Sequence, residues 1–116
     1  FREATKLNAA FEAGTRLALS PQTTGERLIC AAVWNRWNYA VESAPGEELR
    51  QTLRRELSAA YAADREAFWR KRAGKASKRA DDRAEAEEKA DDLYAAYANG
   101  EERGADRLME WLAICR

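Results

Sequence analysis

Asp81, Glu85, Glu88 and Asp92 follow one another at steps of four, three and four residues. On a helix that spacing puts the four carboxylates on one face. Hard cations such as magnesium take oxygen ligands of this kind, so the pattern fits a metal-dependent hydrolase. The competing reading is a solvated acidic face. Arg83–Glu87 and Glu85–Lys89, each four residues apart, are pairs that support an exposed helix without any ligand. We favour that second reading and expect no resident metal and no cofactor.

Other catalytic chemistry is poorly supplied. The 116 residues include no histidine. That removes Ser-His and Cys-His pairs and imidazole metal ligands. No Cys-x-x-Cys and no glycine-rich phosphate loop occurs. Cys30 and Cys115, on apolar helix faces, read as packing residues rather than nucleophiles. All-α nucleotide pyrophosphohydrolases, which this chain resembles in size and class, use Glu-x-x-Glu followed by Glu-x-x-Asp on a later helix. Glu85-x-x-Glu88 supplies the first half, and nothing downstream completes it.

Binding chemistry is better represented. Residues 70–79 carry six basic side chains and follow Phe68 and Trp69. Bases beside aromatics can hold single-stranded nucleic acid by phosphate contact and stacking. The seven acids of residues 81–92 balance the run, and a helix C-terminus accounts for its first half. Trp69 is more informative. On a continuous helix it falls roughly 140° from the centre of the apolar stripe, with Arg65 and Arg72 within about 60° of it. Tryptophan beside arginine is the composition of an interface anchor. Trp34 and Tyr39 extend the apolar surface of the preceding helix on either side. Trp69, Arg65, Arg72, Trp34 and Tyr39 are therefore the expected partner-binding residues.

The elements that must hold these residues are helical. Ala, Leu, Arg, Glu and Lys dominate, and all favour helix. Alanine fills 25 positions while Val, Ile, Leu and Phe together fill 17, so the core must be alanine-rich, aromatic and closely packed. The first helix is expected over residues 1–20, with Ala4, Leu7, Phe11, Gly14 and Ala18 on one face and Gly14 admitting a close neighbour. Thr23-Thr24-Gly25-Glu26 reads as a capping box for a second, central helix to about Ser43. Its apolar arc runs from Ile29 to Val41 and includes Trp37, while Arg27, Asn35, Asn38 and Glu42 fill a narrow opposite arc.

A third helix is expected from Glu47 to Ala73, with Leu49, Leu53, Leu57, Ala60, Tyr61, Ala67 and Phe68 as its stripe. Asp64 interrupts that stripe and implies either an arginine partner or a new helix after a break near Ala63. A fourth helix follows an alanine stripe from Ala76 to Tyr94 and Tyr97 and stops at Asn99-Gly100. A final helix places Ala105, Leu108, Trp111, Leu112 and Cys115 together. Leu-x-Ala-Ala-Tyr-Ala occurs at both 57–62 and 93–98, but the flanks do not continue the match, so it reads as coincidence.

The expected fold is all-α: one domain, residues 1–116, forming a compact antiparallel bundle of four or five helices. Zero net charge gives no long-range attraction to nucleic acid or anionic membrane. No membrane-spanning run and no signal peptide is visible. Cys30 and Cys115 fit buried thiols in a reducing compartment, with a periplasmic bridge as the alternative, and the cytoplasm is the default location. The expected function is that of a non-enzymatic regulator acting by protein–protein binding. Small bacterial or phage anti-activators and inhibitors, which occlude a partner's dimerisation or nucleic-acid surface, have this size and charge balance. A transcription factor is one candidate partner, and homodimerisation is plausible. The alternatives are a nucleic-acid-binding accessory protein using residues 70–79 and the metal-dependent nucleotide hydrolase.

Overall fold

The computed structural model describes residues 2–116. It has six α-helices: α1 (Arg2–Thr15), α2 (Thr24–Ser43), α3 (Glu48–Thr52), α4 (Ala59–Ala73), α5 (Ala80–Ala98) and α6 (Gly104–Ile114). Two 3₁₀ turns, Arg55–Leu57 and Gly74–Lys78, join them. No strand occurs among the described residues, and the helices pack on one another as an all-α bundle. The expected start of the first helix at Phe1 lies outside the described residues. No helix among them is long and apolar enough to cross a membrane.

α2 begins where its capping box requires. The Thr23 hydroxyl accepts from the Glu26 amide at 3.1 Å, and the Glu26 carboxylate accepts from the Thr23 amide at 3.3 Å. The helix then runs through the centre, against α4, α5 and α6. Trp34, Trp37, Val33 and Cys30 are completely buried. α1 buries Ala4, Leu7, Phe11 and Gly14 as their spacing implies, but ends at Thr15, so Ala18 is exposed in the loop. A Cβ on Gly14 would come within 2.7 Å of the Ala113 Cβ, so only glycine lets α1 lie this close to α6.

The third predicted helix is two helices. Leu53, Arg54 and Ser58 are extended, with ψ of 141°, 158° and 159°, and Ser58 caps α4 by accepting from the Tyr61 amide. Asn8 of α1 closes the gap between them. Its amide donates to the Thr52 carbonyl at 3.1 Å and accepts from the Arg54 amide at 3.0 Å. One side chain thus satisfies a donor and an acceptor that the interrupted helix leaves free. Asp64, the residue that first hinted at a break, is 74% exposed and lies 3.7 Å from its neighbour Arg65.

The break resets the helical phase. Within α4 the buried residues are Ala62, Trp69 and Ala73, which fall within about 40° of each other at 100° per residue. Trp69 therefore faces the core, and Phe68 turns outward. The wheel drawn through residues 47–73 as one helix had their roles reversed.

Cys30 and Cys115 form a disulfide that ties the middle of α2 to the end of α6. Beside it, the Cys115 carbonyl accepts from the Trp34 indole at 2.8 Å and the Trp69 indole at 2.7 Å. The Trp37 indole donates to the Leu57 carbonyl at 2.8 Å. Each buried indole N–H thus has an acceptor.

Replacing Trp37 or Trp69 with Ala should each cost roughly 3–5 kcal/mol in denaturant melts, the usual loss for a large buried aromatic. A loss below about 1 kcal/mol for either would show that its side chain is not core. Thiol titration in denaturant should find no free cysteine until reductant is added. Cys30→Ser with Cys115→Ser should lower stability by about 2–4 kcal/mol.

Candidate functional site

The structure separates the five expected partner-binding residues. Trp69 is 7% exposed and Trp34 is fully buried, each with its indole N–H bonded inside the chain. Neither can anchor a partner, which corrects the expectation from spacing. Arg65 and Arg72 flank Phe68 instead. Their guanidinium carbons lie 3.9 Å and 5.4 Å from its ring centroid. Tyr39 is the one aromatic of the set left in solvent, at 63% exposure.

Tyr39 projects from the polar arc of α2. Where α5 packs on α2, that arc forms one side of a groove of about 580 Å³, with Asp91 and Tyr94 of α5 on the other. A chain of polar contacts crosses it. Glu66 of α4 accepts from Arg70 at 2.6 Å and from the Asn35 amide at 3.3 Å. Arg36 donates to the Asn35 oxygen at 3.1 Å and pairs with Glu87 at 2.6 Å and Asp91 at 2.8 Å on α5. Burial works against the Arg36 charge, but the hydrogen bonds to Asp91 and Glu87 outweigh it and hold its pKa above the ordinary value. Arg36 is thus fully engaged and orients α5 on α2.

Beyond Arg36 the groove offers rings and acceptors. Tyr39 meets Tyr94 edge to face, with centroids 6.0 Å apart. Glu42 and Asp91 border the pair, and the Asp91 side chain is 65% exposed. The Asn38 carbonyl oxygen is buried among them with no hydrogen-bond partner, a deficit worth about 1–3 kcal/mol. Aromatic rings beside carboxylates and an unused amide suit a cationic donor such as an arginine or lysine side chain. Sequence reasoning found Tyr39 and the polar arc of α2, but not Tyr94 or Asp91. Their only signal was position along the C-terminal half of a helix whose neighbour was unknown.

The carboxylates first read as a metal face stay apart from this groove. Asp81, Glu85, Glu88 and Asp92 are all exposed along α5. Among the described residues no three acidic or cysteine side chains are grouped closely enough to hold a metal ion. A smaller hollow lies where α1 meets the end of α5, lined by Arg2, Lys6, Tyr97 and Glu101. There the Tyr97 hydroxyl donates to Glu3 at 3.2 Å.

Fold and groove together define a disulfide-closed, all-α helical domain with one aromatic, acid-edged slot. Comparison with family models, curated proteins and solved structures finds no match to the chain.

Burial, and then the Glu3 charge, push the Tyr97 pKa up. The unfolded chain ionises this phenol near pH 10 while the folded protein resists. The stability it contributes is intact below about pH 10 and is lost as pH rises further. Urea midpoints at about pH 8 and about pH 11 should therefore fall less for Tyr97→Phe than for the parent. An equal fall would show that Tyr97 carries none of the alkaline sensitivity.

Proposed function

We propose that the protein is a non-enzymatic regulator that acts by binding another protein through the α2–α5 groove. The observation that carries this reading is Tyr39: a large aromatic, 63% exposed, seated on Tyr94 in a slot edged by Glu42 and Asp91. Exposed tyrosine on a rigid helix gives much contact area at little entropic cost, as in interface anchors. The partner would present an arginine or lysine that slides over the two rings and donates to the acids.

The disulfide bears on where this happens. Such bridges persist in oxidising compartments and are rare in a reducing cytosol. We therefore place the protein's work in an oxidising compartment rather than at the cytoplasmic default. Inhibition of a partner found there then fits better than control of a transcription factor. A second copy of the chain remains one partner of this kind.

The test uses Tyr39→Ala and Asp91→Asn beside the parent chain, as baits for proteins from the source's oxidising compartment, with light scattering for self-association. Neither substitution touches the core, but Asp91→Asn removes one of the two acids that hold Arg36 and Tyr39→Ala removes a ring contact with Tyr94, so unfolding free energies from urea melts should fall by no more than about 1 kcal/mol. Tyr39→Ala should weaken association with the captured partner by about 2 kcal/mol or more. Undiminished binding by both variants would place the interface elsewhere.

A further inference from the structure

The corner between α4 and α5 gathers charge that the fold does not neutralise. Of the six bases in residues 70–79, Arg70 is held by Glu66, Arg79 by Asp82, and Arg72 lies 5.4 Å from the Phe68 ring centroid. Lys71, Lys75 and Lys78 are exposed and have no carboxylate partner among the described residues. They line a hollow of about 440 Å³ together with Arg70, Gly74 and Ser77.

The backbone at this corner is fixed. Gly74 has φ of 67° and ψ of −138°, a conformation strained for any residue with a Cβ. It turns the chain so that Lys75 and Lys78 come back alongside Lys71. The Ser77 hydroxyl donates to the Gly74 carbonyl at 2.8 Å, and Arg83 of α5 donates to the Ser77 carbonyl at 2.9 Å. Three like charges are thus held around one concavity, where their mutual repulsion is relieved by an anion of matching valence.

We propose that this hollow binds phosphate whose charges together match those of Lys71, Lys75 and Lys78, carried on one compact polyphosphate or on neighbouring lipid headgroups. Two observations set the size of the ligand. Asp81 and Asp82 open α5 directly beside the hollow, so a long polyanion would run into repulsion. The Phe68 ring already carries the Arg65 guanidinium at 3.9 Å, which takes the face a nucleobase would stack on. A compact polyphosphate or a phosphate-bearing lipid headgroup meets both constraints, and an extended nucleic acid meets neither. The site lies apart from the α2–α5 groove and does not depend on its role.

The test is calorimetric titration of the intact, disulfide-bonded chain with tripolyphosphate at low salt, and co-sedimentation with phosphatidylglycerol or phosphatidylcholine vesicles. One variant carries Lys71→Gln, Lys75→Gln and Lys78→Gln. A charge-matched control carries Arg2→Gln, Arg16→Gln and Arg107→Gln, all exposed positions remote from the hollow in sequence. Both should keep the parent's circular dichroism spectrum. Tripolyphosphate should bind the parent and the control alike, and bind the lysine variant at least tenfold more weakly. Sedimentation with phosphatidylglycerol alone, abolished in the lysine variant, would identify the lipid headgroup as the source, and its absence would identify the free anion. The proposal is overturned if neither tripolyphosphate nor phosphatidylglycerol binds, if the control loses as much as the lysine variant, or if a single-stranded oligonucleotide binds the hollow more tightly than tripolyphosphate.

Discussion

Much of the molecule depends on one backbone oxygen. The last turn of a helix leaves carbonyls with no intrahelical donor, and burying one unpaired is costly. At the end of α6 the Cys115 carbonyl is buried and takes two indole N–H groups, from Trp34 on α2 and Trp69 on α4. Two indoles that each needed an acceptor find the same one, and the Cys115 sulfur bonds to Cys30 one turn of α2 before Trp34. Three helices are thus fixed to a single residue. The consequences run outward. With the end of α6 placed, Ala113 meets Gly14 and sets α1. With α1 placed, Asn8 reaches the gap between α3 and α4 and holds it open. That gap gives α4 the phase that turns Trp69 back to the Cys115 carbonyl.

This circular dependence marks the limit of what could be read from residues alone. Local signals were legible because they are local. The Thr23–Glu26 box starts α2, the arc from Ile29 to Val41 makes it central, and Gly14 announces a close helix contact. The break at residues 53–58 was not legible, because Ala60, Tyr61, Ala67 and Phe68 happen to continue the phase of Leu49, Leu53 and Leu57. A stripe of apolar residues says nothing about whether the backbone beneath it is continuous. Ser58 ahead of an alanine run was the available sign of a new N-cap. Trp69 was misplaced for that reason, and Phe68 with it.

The candidate site was half legible for a related reason. Asn35, Asn38 and Glu42 could be assigned to the polar side of α2, and Tyr39 to an edge of its apolar surface. What makes that side a slot is the wall contributed by Asp91 and Tyr94 of α5, and no periodicity within α2 reports on it. Arg36 shows the same limit. Its role follows from Glu87 and Asp91, more than fifty positions away along the chain, whose acidic neighbours look identical in sequence but point to solvent. The bridge between Cys30 and Cys115 is a third case, since two cysteines can be thiols or a pair until the fold brings them together.

A net charge of zero averages surfaces of opposite character. The acids of α5 divide by face: Glu87 and Asp91 turn to Arg36, while Asp81, Glu85, Glu88 and Asp92 turn outward. The bases of residues 70–79 divide likewise: Arg70 and Arg79 are paired, Arg72 lies by the Phe68 ring, and three lysines have no carboxylate partner among the described residues. Arg36 with Glu87 and Asp91 is the match that joins two helices, while the lysines at the α4–α5 corner have none. Unmatched charge on a rigid corner costs repulsion that an alanine or glutamine would avoid. Its presence beside a fixed turn, and that of an exposed tyrosine above an acid-edged slot, are two places where local stability alone does not account for the residues present. Those are the places where a second molecule would supply what the fold withholds.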